Sequence, residues 1–192
     1  MIKNIQSTMK CSEKRWDKIF PKTIHLFAGG ESSLEKLNED LDGLKVVINF
    51  GYAHCKKFDI LIYLDDVVGH HLAKYYAEKP DFKIVCAVQN GHMIKSWIDE
   101  EISYPYGAFT IIHAIQYLKE KYPNSKIIIY GLDGGNKHYY DSTIKQNIDD
   151  TEMMKRFNRC YAEFEKLPCG KENIFNGNLN SPCKAFKFYD DN

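Results

Sequence analysis

The sequence predicts an α/β domain with a mostly parallel sheet and helices on both faces. Three observations carry that expectation. Short, continuously apolar runs recur along the chain, the pattern required of strands buried on both faces. Polar stretches with apolar residues at three- and four-residue spacing separate them, as helices do in βαβ units. Glycine, asparagine and aspartate gather directly after the runs, where turns belong.

Taken in order, Thr23 to Ala28 reads as a first strand that runs into Gly29-Gly30-Glu31-Ser32-Ser33. Leu34, Leu37 and Leu41 then recur at helical spacing, with the serines as N-cap candidates. Leu44 to Phe50 is a second strand and Ile60 to Leu64 a third, ending in Asp65-Asp66. Val67 to Glu78 reads as helical, and Phe82 to Val88 as a fourth strand rich in β-branched and aromatic residues. Gly107 to Lys121 forms an amphipathic helix with Ile111, Ile115 and Leu118 on one face. Ile127 to Tyr130 is a fifth strand, followed by the turn Gly131-Leu132-Asp133-Gly134-Gly135. Thr151 to Leu167 is a last long helix, and short strands near Ile174 and over Ala185 to Phe188 close the sheet.

The 192 residues suit one domain, here residues 23–192 after a polar lead-in over 1–22. The formal net charge is zero, without the basic surplus that duplex nucleic acid demands. No apolar run is long enough for a membrane span, and six cysteines without a C-x-x-C pair give no zinc or redox signature. These features predict a cytoplasmic protein with reduced thiols. They leave assembly into a homo-oligomer open.

In parallel sheets ligands sit beyond the carboxyl ends of strands, where strand order switches. The glycine-rich and polar turns fall at those ends. In Gly29 to Ser33, Gly29 and Gly30 let a ligand approach the backbone, while Ser32, Ser33 and free N–H groups can hold a phosphate; a tight turn with a serine cap is the equal alternative. The turn lacks the G-x-G-x-x-G fingerprint and no G-K-[ST] follows, which disfavours nicotinamide enzymes and P-loop kinases. Asn49, at the end of the second strand, can bond a ribose or phosphate. Asp65 and Asp66 can hold Mg²⁺ through carboxylate oxygens, although such pairs are more often solvated turns. His70 and His71 diverge by about 100° on a helix and read as surface residues, and His113 reads as structural. The segment from Gly131 to Asp141 is denser in chemistry. Asp133 suits a metal or a substrate hydroxyl, His138 can exchange protons near neutral pH, and Lys137, Tyr139 and Tyr140 can donate to phosphate oxygens; an aromatic-rich loop packed on its own sheet is the alternative.

This ordered set resembles a family of Rossmann-like transferases. It comprises small bacterial lipooligosaccharide sialyltransferases, motility accessory factors and archaeal-type 6-hydroxymethylpterin pyrophosphokinases. The resemblance runs from about residue 23 to residue 188. It rests on Gly29-Gly30-Glu31-Ser32-Ser33-Leu34, Asn49-Phe50, Tyr106-Gly107-Ala108, Gly131-Leu132-Asp133 with Tyr139 and Tyr140, and Asn178-Leu179-Asn180-Ser181 with Phe186. It implies that Gly29, Gly30, Ser32, Ser33, Asn49, Phe50, Gly107, Gly131, Asn180 and Ser181 surround a nucleotide or nucleotide-sugar donor. It further implies that Tyr139 and Tyr140 hold the donor's phosphate. Glu31 stands where the family carries glycine or proline, and His138 precedes the tyrosines rather than following them. Three functions follow as expectations. The leading one is a transferase using a nucleotide-activated donor, with His138 and then Asp133 as proton carriers. The others are a Mg²⁺-dependent pyrophosphokinase marked by a cluster of Asp65, Asp66 and Asp133, and a non-catalytic protein that sequesters a nucleotide or nucleoside.

Overall fold

A computed structural model describes residues 20–87, 92–105, 109–134 and 150–190. The apolar runs form strands β1 (Thr23–Phe27), β2 (Leu44–Ile48), β3 (Ile60–Tyr63), β4 (Lys83–Ala87) and β6 (Lys126–Tyr130). A strand that the periodicity does not reveal, β5 (Glu100–Ile102), lies between the last two in sequence, and β7 (Ile174–Asn176) and β8 (Lys187–Phe188) follow. The helices are α1 (Ser33–Leu37), α2 (Asp66–Tyr75), α3 (Thr110–Lys121) and α4 (Asp150–Phe164). A 3-10 segment covers Asn49–Ala53, and two short 3-10 turns kinked at Ile94 cover His92–Trp97.

All eight strands are parallel, in the order β5-β4-β3-β2-β1-β6-β7-β8. Strands β2 to β5 add outward on one side of β1. The chain then returns through α3 and lays β6 on the other side, so strand order switches between β1 and β6. The arrangement is a single-domain, Rossmann-like α/β sheet.

Alternate residues of each strand feed two cores. Ile24, Leu26, Val46, Ile60, Ile62, Ile127 and Ile129 pack with α3 and α4 on one face. Phe27, Val47, Leu61, Tyr63, Ile84, Ile128 and Tyr130 pack on the other with α2 and the 3-10 segments. Ile111, Ile115 and Leu118 of α3 are buried as their spacing predicts, each contributing about 1.5–3 kcal/mol by leaving water. Among the described residues no helix is long and apolar enough to cross a membrane.

Three local expectations are corrected. The Leu34-Leu37-Leu41 helix is only five residues long, because Leu37 alone is buried while Leu34 stays 46% exposed. The second strand stops at Ile48, where Asn49 takes a left-handed φ of 49° and starts a 3-10 turn. His71 is not a plain surface residue; its Nδ1 meets the Tyr52 hydroxyl and its ring packs on Phe50 and Tyr75.

Strand β5 survives despite its charges because Glu100 accepts from Lys121 Nζ at 2.6 Å, Lys83 Nζ at 2.9 Å and Tyr117 at 3.1 Å. Burial acts to raise the Glu100 pKa, but the bonds from Lys121, Lys83 and Tyr117 outweigh it and hold the group below its ordinary 4.5. A carboxyl lowered in the folded state adds stability above its unfolded pKa and loses it as pH falls through the folded one. Glu100→Gln is therefore expected to be less stable than the wild type at pH 7. The gap should shrink as pH drops below about 4. Urea midpoints across that range measure it, and a gap independent of pH would refute the ionic origin.

Candidate functional site

Because every strand points the same way, the turns after β1, β2, β3, β6 and β7 share one edge of the sheet. The switch point between β1 and β6 is drawn tight. Ala28 N–H donates to Tyr130 O at 2.9 Å, and Gly30 N–H to Gly131 O at 3.1 Å. Gly131 has a φ of 85°, and a Cβ there would overlap the Ser33 hydroxyl and stand 2.9 Å from Ala28 O. A Cβ on Gly30 would fall onto Gly131 O and lie 2.7 Å from Asp133 Oδ2. Glycine at both positions is thus a requirement of close backbone approach.

Asp133 ties three turns together. Its Oδ2 accepts from Ser32 N–H at 2.7 Å, and its Oδ1 accepts from the Ser32 hydroxyl and from Asn178 Nδ2 at 3.0 Å. The carboxylate expected to meet a metal or substrate is therefore engaged by protein donors, in the charge-assisted class of bond. Asn178 is set in turn by Asn176, a fully buried side chain that ends β7. Asn176 Oδ1 accepts from Asn178 N–H at 3.0 Å, and its Nδ2 donates to Cys183 O at 3.1 Å.

On the far side of β1, Asn49 is half-buried at the end of β2, and its Oδ1 accepts from the Thr110 hydroxyl at 3.1 Å, at the start of α3. Asparagine tolerates a left-handed φ better than most residues, and such conformations concentrate at functional positions. Among the described residues no acceptor takes the two Nδ2 hydrogens of Asn49. Further along the same edge, Asp65 keeps solvent access, yet surrounding protein raises its carboxyl pKa, with Arg156 of α4 pulling it the other way.

No family model, no curated protein and no solved structure matches this chain. The site therefore rests on its own geometry.

That geometry sorts the sequence-predicted residues. Gly30, Ser32, Asn49, Asp133 and Asn180 reach the surface of the edge, in whole or part. Gly29 and Gly131 are buried backbone beneath it. Ser33 donates its hydroxyl to Ala28 O at 2.8 Å, and Ser181 donates to Leu132 O, so both are interior braces. Phe50 is 3% exposed and supports the Asn49 turn from below, against Tyr52 and His71. Gly107, His138, Tyr139 and Tyr140 lie outside the described residues. Among the described residues no three His, Cys, Asp or Glu side chains converge on a metal-sized point, so Asp65, Asp66 and Asp133 do not form one cluster. Thr110, Asn176 and Arg156 escaped the sequence reading. A lone threonine opening a helix and a buried asparagine in a strand carry no motif. Only the scarcity of arginine could have singled out Arg156.

Proposed function

We propose that the carboxyl edge around the β1–β6 switch point binds a nucleotide or nucleotide-sugar donor and that the chain is a transferase acting on it. The observation that carries this reading is Asn49. It holds an unusual backbone conformation beside the switch point, is fixed through its oxygen by Thr110, and among the described residues keeps two amide donors unspent. Neutral donors of that kind suit ribose and phosphate oxygens. Gly30 and Ser32 are small, part-exposed residues on the other flank past which a ligand can approach, their N–H groups being held by Gly131 O and Asp133. Arg156, which pairs with Glu152 at 3.8 Å and acts electrostatically on Asp65, is a cation within reach of a departing phosphate at this edge.

Asp133 enters this scheme as a positioning residue, because its oxygens are engaged by Ser32 and Asn178. Proton transfer then falls to His138, as its place in the sequence after Gly131-Leu132-Asp133 suggests. The pyrophosphokinase reading is weaker, since it requires Asp65, Asp66 and Asp133 on one metal. The sequestering reading gains from the engagement of Asp133, and the test that separates it is turnover of a bound donor.

Calorimetric titration with CMP, UMP, GMP, AMP, their diphosphates and nucleotide-sugars tests binding. The expected result is saturable binding by at least one, weakened by about 1–3 kcal/mol in Asn49→Ala, the cost of stranding a polar partner. Absence of binding by every member at millimolar concentration removes the proposal. Binding without hydrolysis or transfer selects sequestration.

A further inference from the structure

At the opposite, amino-terminal edge of the sheet lies an open cavity of about 280 Å³ lined by Asn38, Glu39, Asp40, Lys45, Lys56 and Lys57. Its floor is an uncommon group. Lys45, the second residue of β2, is 8% exposed, and its ammonium donates to Glu39 O at 2.7 Å and to Leu37 O, at the end of α1, at 3.1 Å. The Phe27 ring lies 5.7 Å away, and the buried Cys55 thiol donates to the same Leu37 carbonyl at 3.2 Å. Among the described residues no carboxylate lies within ion-pairing distance of it. An ammonium carries three donors, so one remains after the two carbonyls. A buried cation without a counter-charge is costly, and carbonyl dipoles offset only part of that cost.

The rim supplies more positive charge. Lys56 and Lys57 are exposed, and neither ammonium has a hydrogen-bonding or ionic partner among the described residues. Asn38 holds this wall in place, accepting from Lys56 N–H at 3.0 Å and donating to His54 O at 3.3 Å. Of the two acids on the lining, Glu39 is turned to Lys36 at 2.9 Å, which leaves Asp40 as the one opposing charge on the rim.

We propose that this cavity is an anion site for a small phosphate-bearing molecule, separate from the carboxyl edge. The phosphate would take the third donor of Lys45 and sit between Lys56 and Lys57. The cavity exceeds the size of a bare phosphate, which leaves room for the organic part of a phosphomonoester.

Calorimetry with inorganic phosphate and with pyrophosphate, in a non-phosphate buffer at constant ionic strength, tests it. Saturable binding is expected in the wild type, stronger for the more highly charged pyrophosphate. Lys56→Gln with Lys57→Gln removes two exposed cations without touching the core, and should weaken it by about tenfold or more. Lys45→Met should abolish it. Should Lys45→Met fail to fold, the surface double variant alone decides. The proposal is overturned if neither anion saturates below about 10 mM, an affinity weaker than about 3 kcal/mol. It is equally overturned if the double variant binds as tightly as the wild type, which would place the anion elsewhere.

Discussion

Gly131→Ala is expected to destabilise the protein by about 2–5 kcal/mol, enough at the upper end to unfold a marginal domain. Two causes add. A φ of 85° penalises any Cβ by about 1–2 kcal/mol. The Cβ would also overlap the Ser33 hydroxyl and crowd Ala28 O and Gly30 N, each at 2.9 Å, at the point where β1 and β6 are drawn together. Overpacking of that kind costs a further 1–3 kcal/mol or so. Gly170 separates the two causes, because its φ is 71° but nothing stands within 4 Å of its would-be Cβ. Gly170→Ala should therefore cost only about 1–2 kcal/mol. Urea unfolding of both variants measures the difference. Equal losses would show that close approach at the switch point contributes nothing.

Asp133→Ala is the second large effect, expected to cost about 2–4 kcal/mol. Removing the carboxylate strands the Ser32 N–H, the Ser32 hydroxyl and one Asn178 amide hydrogen in a part-buried setting. Unsatisfied donors of this kind cost more than the net value of the bonds they made. Asp133→Asn retains the shape but turns an amide donor toward one of these donors, so it should lie between alanine and wild type. Donor affinity should fall in step with stability in both variants, since the three turns lose their common anchor. A fully stable Asp133→Ala would overturn the staple and return Asp133 to the list of proton carriers.

The central sheet was legible because its strands are buried on both faces, and that condition writes itself as unbroken apolar runs. Strand β5 was not, because it sits on an edge and Glu100 owes its place to Lys83 and Lys121, partners distant in sequence. Helix α1 was overread for a related reason. Leucine at helical spacing predicts a buried stripe, yet Leu34 faces water, and of the three leucines only Leu37 is fully buried while Leu41, beyond the helix, is partly buried against the core. At the site, the turns and Asn49 were legible as polar residues after apolar runs. The use of each side chain was not. Ser33, Ser181 and Asp133 carry groups that suit a ligand, and a sequence cannot tell whether backbone partners have already claimed them.

The position of β1 also orders events in time. Ile24 pairs with Leu44, about twenty residues ahead, whereas Thr23 pairs with Lys126, about a hundred residues ahead. On a ribosome, β2 to β5 can assemble on one flank of β1 while its other flank stays an unpaired edge until β6 emerges. Such an edge is a template for wrong partners, and long-range parallel pairing forms slowly. The nascent half-sheet is thus the stage at which this chain would recruit chaperones or aggregate, and insertion of β6 is the step that ends the exposure.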